Sequence, residues 1–172
     1  AKGYYQPDAF QTTCIPCAAG YYQAKEGQTT CDDACDAGTS SGAAAANCSD
    51  CAAGEFSVAG AASCSICGEG MYNAASGASS CNLCPIGTYL NDNGNAANLH
   101  NQARDCLPCP EGTYNDATGA ASCTACDAGR KASGTNSTSC DDCAPGRYAS
   151  GTHAKVCADC EGGSYSASSG AT

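Results

Sequence analysis

Large apolar side chains are rare along this chain and return singly, at regular intervals. The segments "CPIGTY" at 84–89 and "CPEGTY" at 109–114 show the arrangement: Cys, two residues, Gly, one residue, Tyr. An aromatic residue takes the last place in seven of nine copies, and Ser40 and Lys131 replace it in the others. Small polar runs such as "DATGAAS" follow and are typical of turns. Because helical 3.6-residue spacing is missing, the pattern predicts one short β-hairpin per copy and little helix.

The cysteines follow the same rhythm as the aromatic residues. They form nine close pairs whose first members are mostly 17 residues apart, and a fixed period indicates a repeat architecture. We therefore predict a single tandem array over residues 1–172, with an insertion at 91–103 and incomplete units at both ends. The repeats are expected to start near Cys14, Cys31, Cys48, Cys64, Cys81, Cys106, Cys123, Cys140 and Cys157.

Composition explains how such small units could be stable. The 172 residues include 18 Cys but no Trp, one Met and two Phe, so no continuous hydrophobic core is expected. This cysteine content indicates an extracellular, disulfide-rich scaffold, either secreted or at the cell surface. The net charge of −10, with only 7 Lys and Arg, argues against nucleic acid as a partner. No apolar run is long enough for direct membrane insertion.

Metal binding and catalysis are the main alternatives for closely paired cysteines. The C-x-x-C spacing approaches that of zinc ribbons, but nine pairs would leave half a site. Acidic turns such as "CDDAC" leave calcium as a less favoured alternative. His100, in the insertion, and His153, in a turn, have no catalytic neighbours in sequence and are expected at the surface. We predict no enzyme activity, no cofactor and no metal site.

Two glycosylation sequons are intact. Asn47 begins "NCS" and Asn136 begins "NST", and each lies in a segment that reads as a turn. A turn exposes the acceptor amide, so both asparagines are predicted to carry covalent glycans.

The motif C-x-x-C-x-x-G-x-Y, followed by a small-residue turn and the next cysteine, resembles the ephrin-receptor-like cysteine-rich repeat. It is more distantly similar to the single-disulfide modules of tumour-necrosis-factor-receptor ectodomains. Sequence alone leaves the connectivity open, and pairing first with first and second with second cysteines is the main rival. The resemblance implies that the second Cys of each pair bonds to the first of the next: Cys17–Cys31, Cys35–Cys48, Cys51–Cys64, Cys67–Cys81, Cys84–Cys106, Cys109–Cys123, Cys126–Cys140 and Cys143–Cys157. Cys14 and Cys160 would then need partners outside this segment.

Repeats of this kind are compatible with two functions. The first is a structural glycoprotein, an elongated rod that associates with itself in an extracellular fibre, appendage or coat. The second is the stalk or ligand-binding ectodomain of a receptor or adhesion protein. Ligand-binding repeats usually carry unit-specific aromatic or Arg-rich loops. The turns here are mostly Ala, Gly, Ser and Asn, which favours the structural function.

Overall fold

The structure is a computed structural model that describes residues 1–8, 11–162 and 166–172. The glycine and aromatic positions of the last copy of the motif, Gly163 and Tyr165, lie outside the described residues. No helix in the part of the chain that the structure describes is long and apolar enough to cross a membrane.

The described residues form nine small antiparallel hairpins, each a two-stranded sheet of two-residue strands. Two short 3-10 helices occur, Ala97–Leu99 within the insertion and Ala103–Asp105 at its end. In chain order the strands are β1 Tyr4–Tyr5, β2 Ile15–Pro16, β3 Tyr21–Tyr22, β4 Asp33–Ala34, β5 Thr39–Ser40, β6 Ser49–Asp50, β7 Glu55–Phe56, β8 Ser65–Ile66, β9 Met71–Tyr72, β10 Asn82–Leu83, β11 Thr88–Tyr89, β12 Leu107–Pro108, β13 Thr113–Tyr114, β14 Thr124–Ala125, β15 Arg130–Lys131, β16 Asp141–Asp142, β17 Arg147–Tyr148 and β18 Ala158–Asp159.

Each hairpin follows directly from the repeat motif. The first strand consists of two residues, the one that follows the repeat glycine and then the aromatic residue. The second strand contains residues between the two cysteines of the next pair. In the hairpin of β13 and β14, Thr113 pairs with Ala125 and Tyr114 pairs with Thr124. The predicted fold class, a small disulfide-rich repeat of short β-hairpins with little helix, is confirmed.

One disulfide closes each of eight hairpins. The bonds are Cys17–Cys31, Cys35–Cys48, Cys51–Cys64, Cys67–Cys81, Cys84–Cys106, Cys109–Cys123, Cys126–Cys140 and Cys143–Cys157. These are the pairs that the family resemblance implies. The second cysteine of each close pair is 0–1% exposed wherever it forms a disulfide, so these cysteines are the most buried apolar residues that the structure describes. Cys14 and Cys160 are free thiols within this chain.

Burial is local to each hairpin and its neighbours. One cluster contains Cys126, Ala132 and Cys140, with Tyr114 packed against it. A second contains Cys143, Ala149 and Cys157, with Ala154 against it. Each cluster is therefore a disulfide covered by a few small side chains, a poor hydrophobic core by the standards of a globular domain.

Contacts divide the chain into two compact units. Unit 1 comprises Ala1–Gly68, Tyr72–Asn82 and Gly94–Ala103, and unit 2 comprises Glu69–Met71, Leu83–Asn93 and Arg104–Thr172. Most of the insertion, Gly94–Ala103, thus belongs to unit 1, whereas the residues just before the insertion belong to unit 2. Within each unit, successive hairpins are joined by the same set of backbone hydrogen bonds.

Candidate functional site: the joints between repeats

The joint around Gly112, in unit 2, shows how successive hairpins are held together. The Gly112 N–H donates to the Ala132 carbonyl over 2.8 Å, and the Ala132 N–H donates to Ala154 over 3.0 Å. The His153 N–H donates to Cys126 over 3.0 Å, and Cys126 in turn donates to Gly112. All these donors and acceptors belong to the backbone.

The same donor and acceptor positions recur along both units. In every copy whose repeat glycine the structure describes, that glycine donates to the residue that follows the next aromatic position, over 2.8–2.9 Å. The other pairs are Gly3 to Gln23, Gly20 to Ser41, Gly38 to Ser57, Gly54 to Asn73, Gly70 to Leu90, Gly87 to Asn115, Gly129 to Ala149 and Gly146 to Ser166. A regular backbone ladder therefore connects the repeats within each unit.

Gly112 shows why the repeat requires glycine. Its φ of +81° lies in the left-handed region, and a Cβ atom there would lie only 2.2 Å from the His153 carbonyl oxygen. His153 belongs to the turn of the hairpin two repeats further on. This joint thus involves three successive hairpins, which is a longer reach than the nearest-neighbour contacts usual in repeat proteins.

A buried polar position completes the joint, and the sequence analysis missed it. The residue after the aromatic position is 7% exposed or less at Gln23, Ser41, Ser57, Asn73 and Asn115. Ser57 Oγ donates to Thr39 over 2.8 Å and Asn73 Nδ2 to Glu55 over 2.9 Å, in each case a carbonyl of the preceding hairpin. The sequence signal for this buried position is a polar residue directly after the aromatic position in successive copies. Hydrogen-bonded side chains are favoured there because backbone carbonyls are buried.

In the hairpin of β13 and β14, the aromatic residue covers the disulfide of the following repeat. Tyr114 packs against the cluster that contains Cys126 and Cys140. Where Ser40 replaces the aromatic residue, its Oγ instead lies 3.4 Å from Cys64 Sγ, in the next disulfide. The repeated tyrosine therefore supplies apolar cover that a hydroxyl group replaces only in part.

The predicted glycosylation sites both face solvent. Asn47 and Asn136 are exposed. Asn136 has φ +62° and donates its N–H to the Cys109 carbonyl over 2.8 Å, so its backbone is fixed in the joint. Asparagine tolerates this conformation better than most residues. Glycosylation of either residue stays a prediction.

The expectation that His100 lies at the surface is wrong, because its exposure is 0%. The 3-10 helix Ala97–Leu99 turns the insertion back into unit 1, where the His100 carbonyl accepts the Asn73 N–H over 2.8 Å. The Ala97 carbonyl oxygen lies against Gly54, just as the carbonyl oxygen of a turn residue lies against the repeat glycine in other copies. The insertion therefore completes a joint of unit 1. His153, by contrast, is exposed as expected.

Charged side chains form ion pairs at the surface. Arg130 pairs with Asp142 over 2.9 Å and Arg147 with Asp159 over 2.8 Å, both across the strands of one hairpin. All four side chains are at least 43% exposed, so each pair contributes little stability. Among the described residues, no cluster of three His, Cys, Asp or Glu side chains could hold a metal ion.

The repeat motif, hairpin and disulfide pattern can be compared with known families. The family described as tyrosine-protein kinase ephrin type A/B receptor-like matches residues 3–51, 54–99 and 94–143. The chain belongs to this ephrin-receptor-like family. No curated protein matches it significantly. Ephrin-receptor-like repeats, each closed by a disulfide, indicate an extracellular domain.

Proposed function

We propose that the chain is a structural subunit of an extracellular glycoprotein fibre, appendage or coat. The observation that carries this proposal is the backbone ladder at the joints. Its donors and acceptors are backbone groups, which every residue except proline carries in full, so one ephrin-receptor-like repeat that keeps the repeat glycine can follow another. Such an arrangement suits an assembly of many repeats better than it suits recognition of one partner.

Covalent continuation would strengthen such an assembly. Cys160 donates its N–H to Gly146 over 2.9 Å, the backbone position that the second cysteine of every other pair occupies. Cys14 is the first cysteine of its pair, and its thiol is exposed. A repeat disulfide joins the second cysteine of one pair to the first cysteine of the next. Cys160 is a second cysteine and Cys14 is a first cysteine, so the two free thiols match these two positions. We propose that both bond to cysteines outside these residues, in continuing repeats or in other copies.

Glycans at Asn47 and Asn136 would keep the sides of such an assembly solvated. Both side chains are exposed, and both sit beside turns rather than in the joints' buried positions. The partners proposed here are therefore other copies of the chain and covalent glycans. Absence of enzyme activity, of cofactors and of nucleic-acid binding remains a prediction.

Electron microscopy of the oxidised, glycosylated protein tests this function. We expect filaments or disulfide-linked oligomers that increase with concentration, and their loss in the double variant Cys14→Ser, Cys160→Ser. Glycopeptide mass spectrometry of the same sample reports on Asn47 and Asn136. A protein that stays monomeric by analytical ultracentrifugation at high concentration, in oxidising buffer and with both thiols present, would contradict the proposal.

A receptor or adhesion ectodomain is the second candidate. One repeat, that of Cys31 and Cys35, departs from the others in ways that the joints do not require. A monomeric protein in the microscopy experiment, together with ligand binding at that repeat, would favour this candidate.

A further inference from the structure

Three residues separate Cys31 from Cys35, whereas two residues separate the cysteines of every other close pair. The extra residue is Asp32, which precedes strand β4 and therefore takes no part in the hairpin ladder. The Asp32 side chain is exposed. An acidic residue added at this point serves neither the disulfide nor the joint.

The same part of the chain carries two tyrosine doublets, in β1 and β3. The second tyrosine of each doublet occupies the repeat's aromatic position, but the first does not. Tyr21 pairs with the small residue Ala34, and 39% of its surface remains exposed. In other described first strands that place is taken by Thr39, Glu55, Met71, Thr88, Thr113, Arg130 and Arg147.

Two of these unusual residues, Tyr21 and Asp32, border two neighbouring cavities in unit 1. The first, of about 250 Å³, is bordered by Tyr5, Ala18, Tyr21, Thr30, Cys31 and Asp32. The second, of about 380 Å³, shares Thr30 and Asp32 and adds Lys25, Gln28 and Asp33. The second falls within the range of roughly 300–1,000 Å³ typical of small-molecule sites, and the first is slightly smaller.

The lining combines an aromatic side with mixed hydrogen-bonding groups. The rings of Tyr5 and Tyr21 offer flat apolar surface, to which the C–H face of a pyranose ring is complementary. Asp32 and Asp33 accept hydrogen bonds, Lys25 donates them, and Thr30 can do both. Sugar hydroxyls also donate and accept. The carboxylates disfavour an anion, and in the second cavity Lys25 disfavours a cation, so a neutral ligand that spans both cavities fits best.

We propose that this face, formed by Tyr5, Tyr21, Lys25, Asp32 and Asp33, binds a neutral saccharide of at least two pyranose rings. One ring lies in the tyrosine-lined cavity and the next in the polar cavity. This adds a recognition function to the structural one and does not depend on fibre formation. Because the cavities are open and several lining groups are exposed, the expected dissociation constant is on the order of 1 mM.

Titration of the isotope-labelled, oxidised chain with cellobiose, lactose, chitobiose and mannobiose tests the proposal by NMR. We expect at least one disaccharide to shift the Thr30 and Asp32 amide signals saturably. Tyr21→Thr should weaken binding about tenfold, the loss of one aromatic contact. Threonine occupies this place in three other repeats, so the hairpin should be retained. Asp32→Asn should weaken binding several-fold.

Asp50→Asn is the matched control, because Asp50 is an exposed carboxylate of the next hairpin that borders neither cavity. It should leave the dissociation constant unchanged. Three outcomes would each overturn the proposal. They are the absence of saturable shifts with all four sugars, equal shifts in the Tyr21→Thr variant, and stronger binding of N-acetylarginine amide at the same signals.

Discussion

Gly112 and Gly146 form a matched pair that separates two demands placed on the repeat glycine. Both have φ +81°, both follow a buried cysteine by three residues, and both donate their N–H to the residue after the next aromatic position. A Cβ atom on Gly112 would lie 2.2 Å from the His153 carbonyl oxygen, whereas on Gly146 it would meet no atom of the described residues within 4 Å. Substitution by alanine therefore adds left-handed strain at both positions and a steric clash only at Gly112.

The difference can be worked out from the joint. Left-handed strain costs Ala about 1–2 kcal/mol, and reduced entropy of the unfolded chain offsets about 0.4–1 of it. Gly146→Ala should therefore cost roughly 1 kcal/mol. Gly112→Ala must also move the His153 carbonyl away by about 1 Å to reach normal contact distance. This loosens three hydrogen bonds of 2.8–3.0 Å, at about 1 kcal/mol each, for a total near 4 kcal/mol.

Native-state hydrogen exchange with the disulfides intact measures this effect locally. For each amide proton the acceleration of exchange over wild type is measured. The acceleration at Ala132 and His153 in Gly112→Ala should be roughly 100 times the acceleration at Ala149 in Gly146→Ala. Amides of unit 1 serve as an internal control. Equal acceleration in the two variants would show that backbone strain alone requires glycine and that the close approach carries no energy.

Two further substitutions test the joint. Ser40→Tyr should stabilise its hairpin by about 1 kcal/mol and slow reduction of the disulfide containing Cys64, since an aromatic ring would then cover that disulfide. The reduction rate is measured by thiol-trapping mass spectrometry at a fixed reductant concentration, and an unchanged rate would show that the cover is unimportant. Asn73→Ala should cost roughly 2 kcal/mol because it leaves the Glu55 carbonyl without its side-chain donor, and Asn73→Ser should cost less because Ser57 makes the equivalent bond; denaturation that ranks the two variants equally would contradict this.

Much of each hairpin could be predicted from the sequence. The Cys, Gly and Tyr positions recur with a fixed period, and each acts within a few residues of its own place: Gly87 turns the chain and Tyr89 forms the strand that follows. Such local requirements leave a signal at every copy. The disulfide partners followed from family resemblance, because equal spacing permits more than one connectivity.

The joints could not be predicted in the same way. Any residue offers the same backbone carbonyl, so nothing in the sequence indicates that His153, two hairpins further on, approaches Gly112. His100 was assigned to the surface from its polar loop, and its burial depends on how the insertion folds back into unit 1.

The proposed saccharide site shows the same division. The tyrosine doublets and the extra Asp32 are visible in the sequence, but they lie in separate copies of the repeat. Only the stacking of the first hairpin on the second places Tyr5, Tyr21 and Asp32 around one cavity. The sequence determined the repeating unit, because its turns and strands depend on neighbouring residues. Tertiary structure decided which groups of different units meet, because stacking relies on backbone atoms that all residues share.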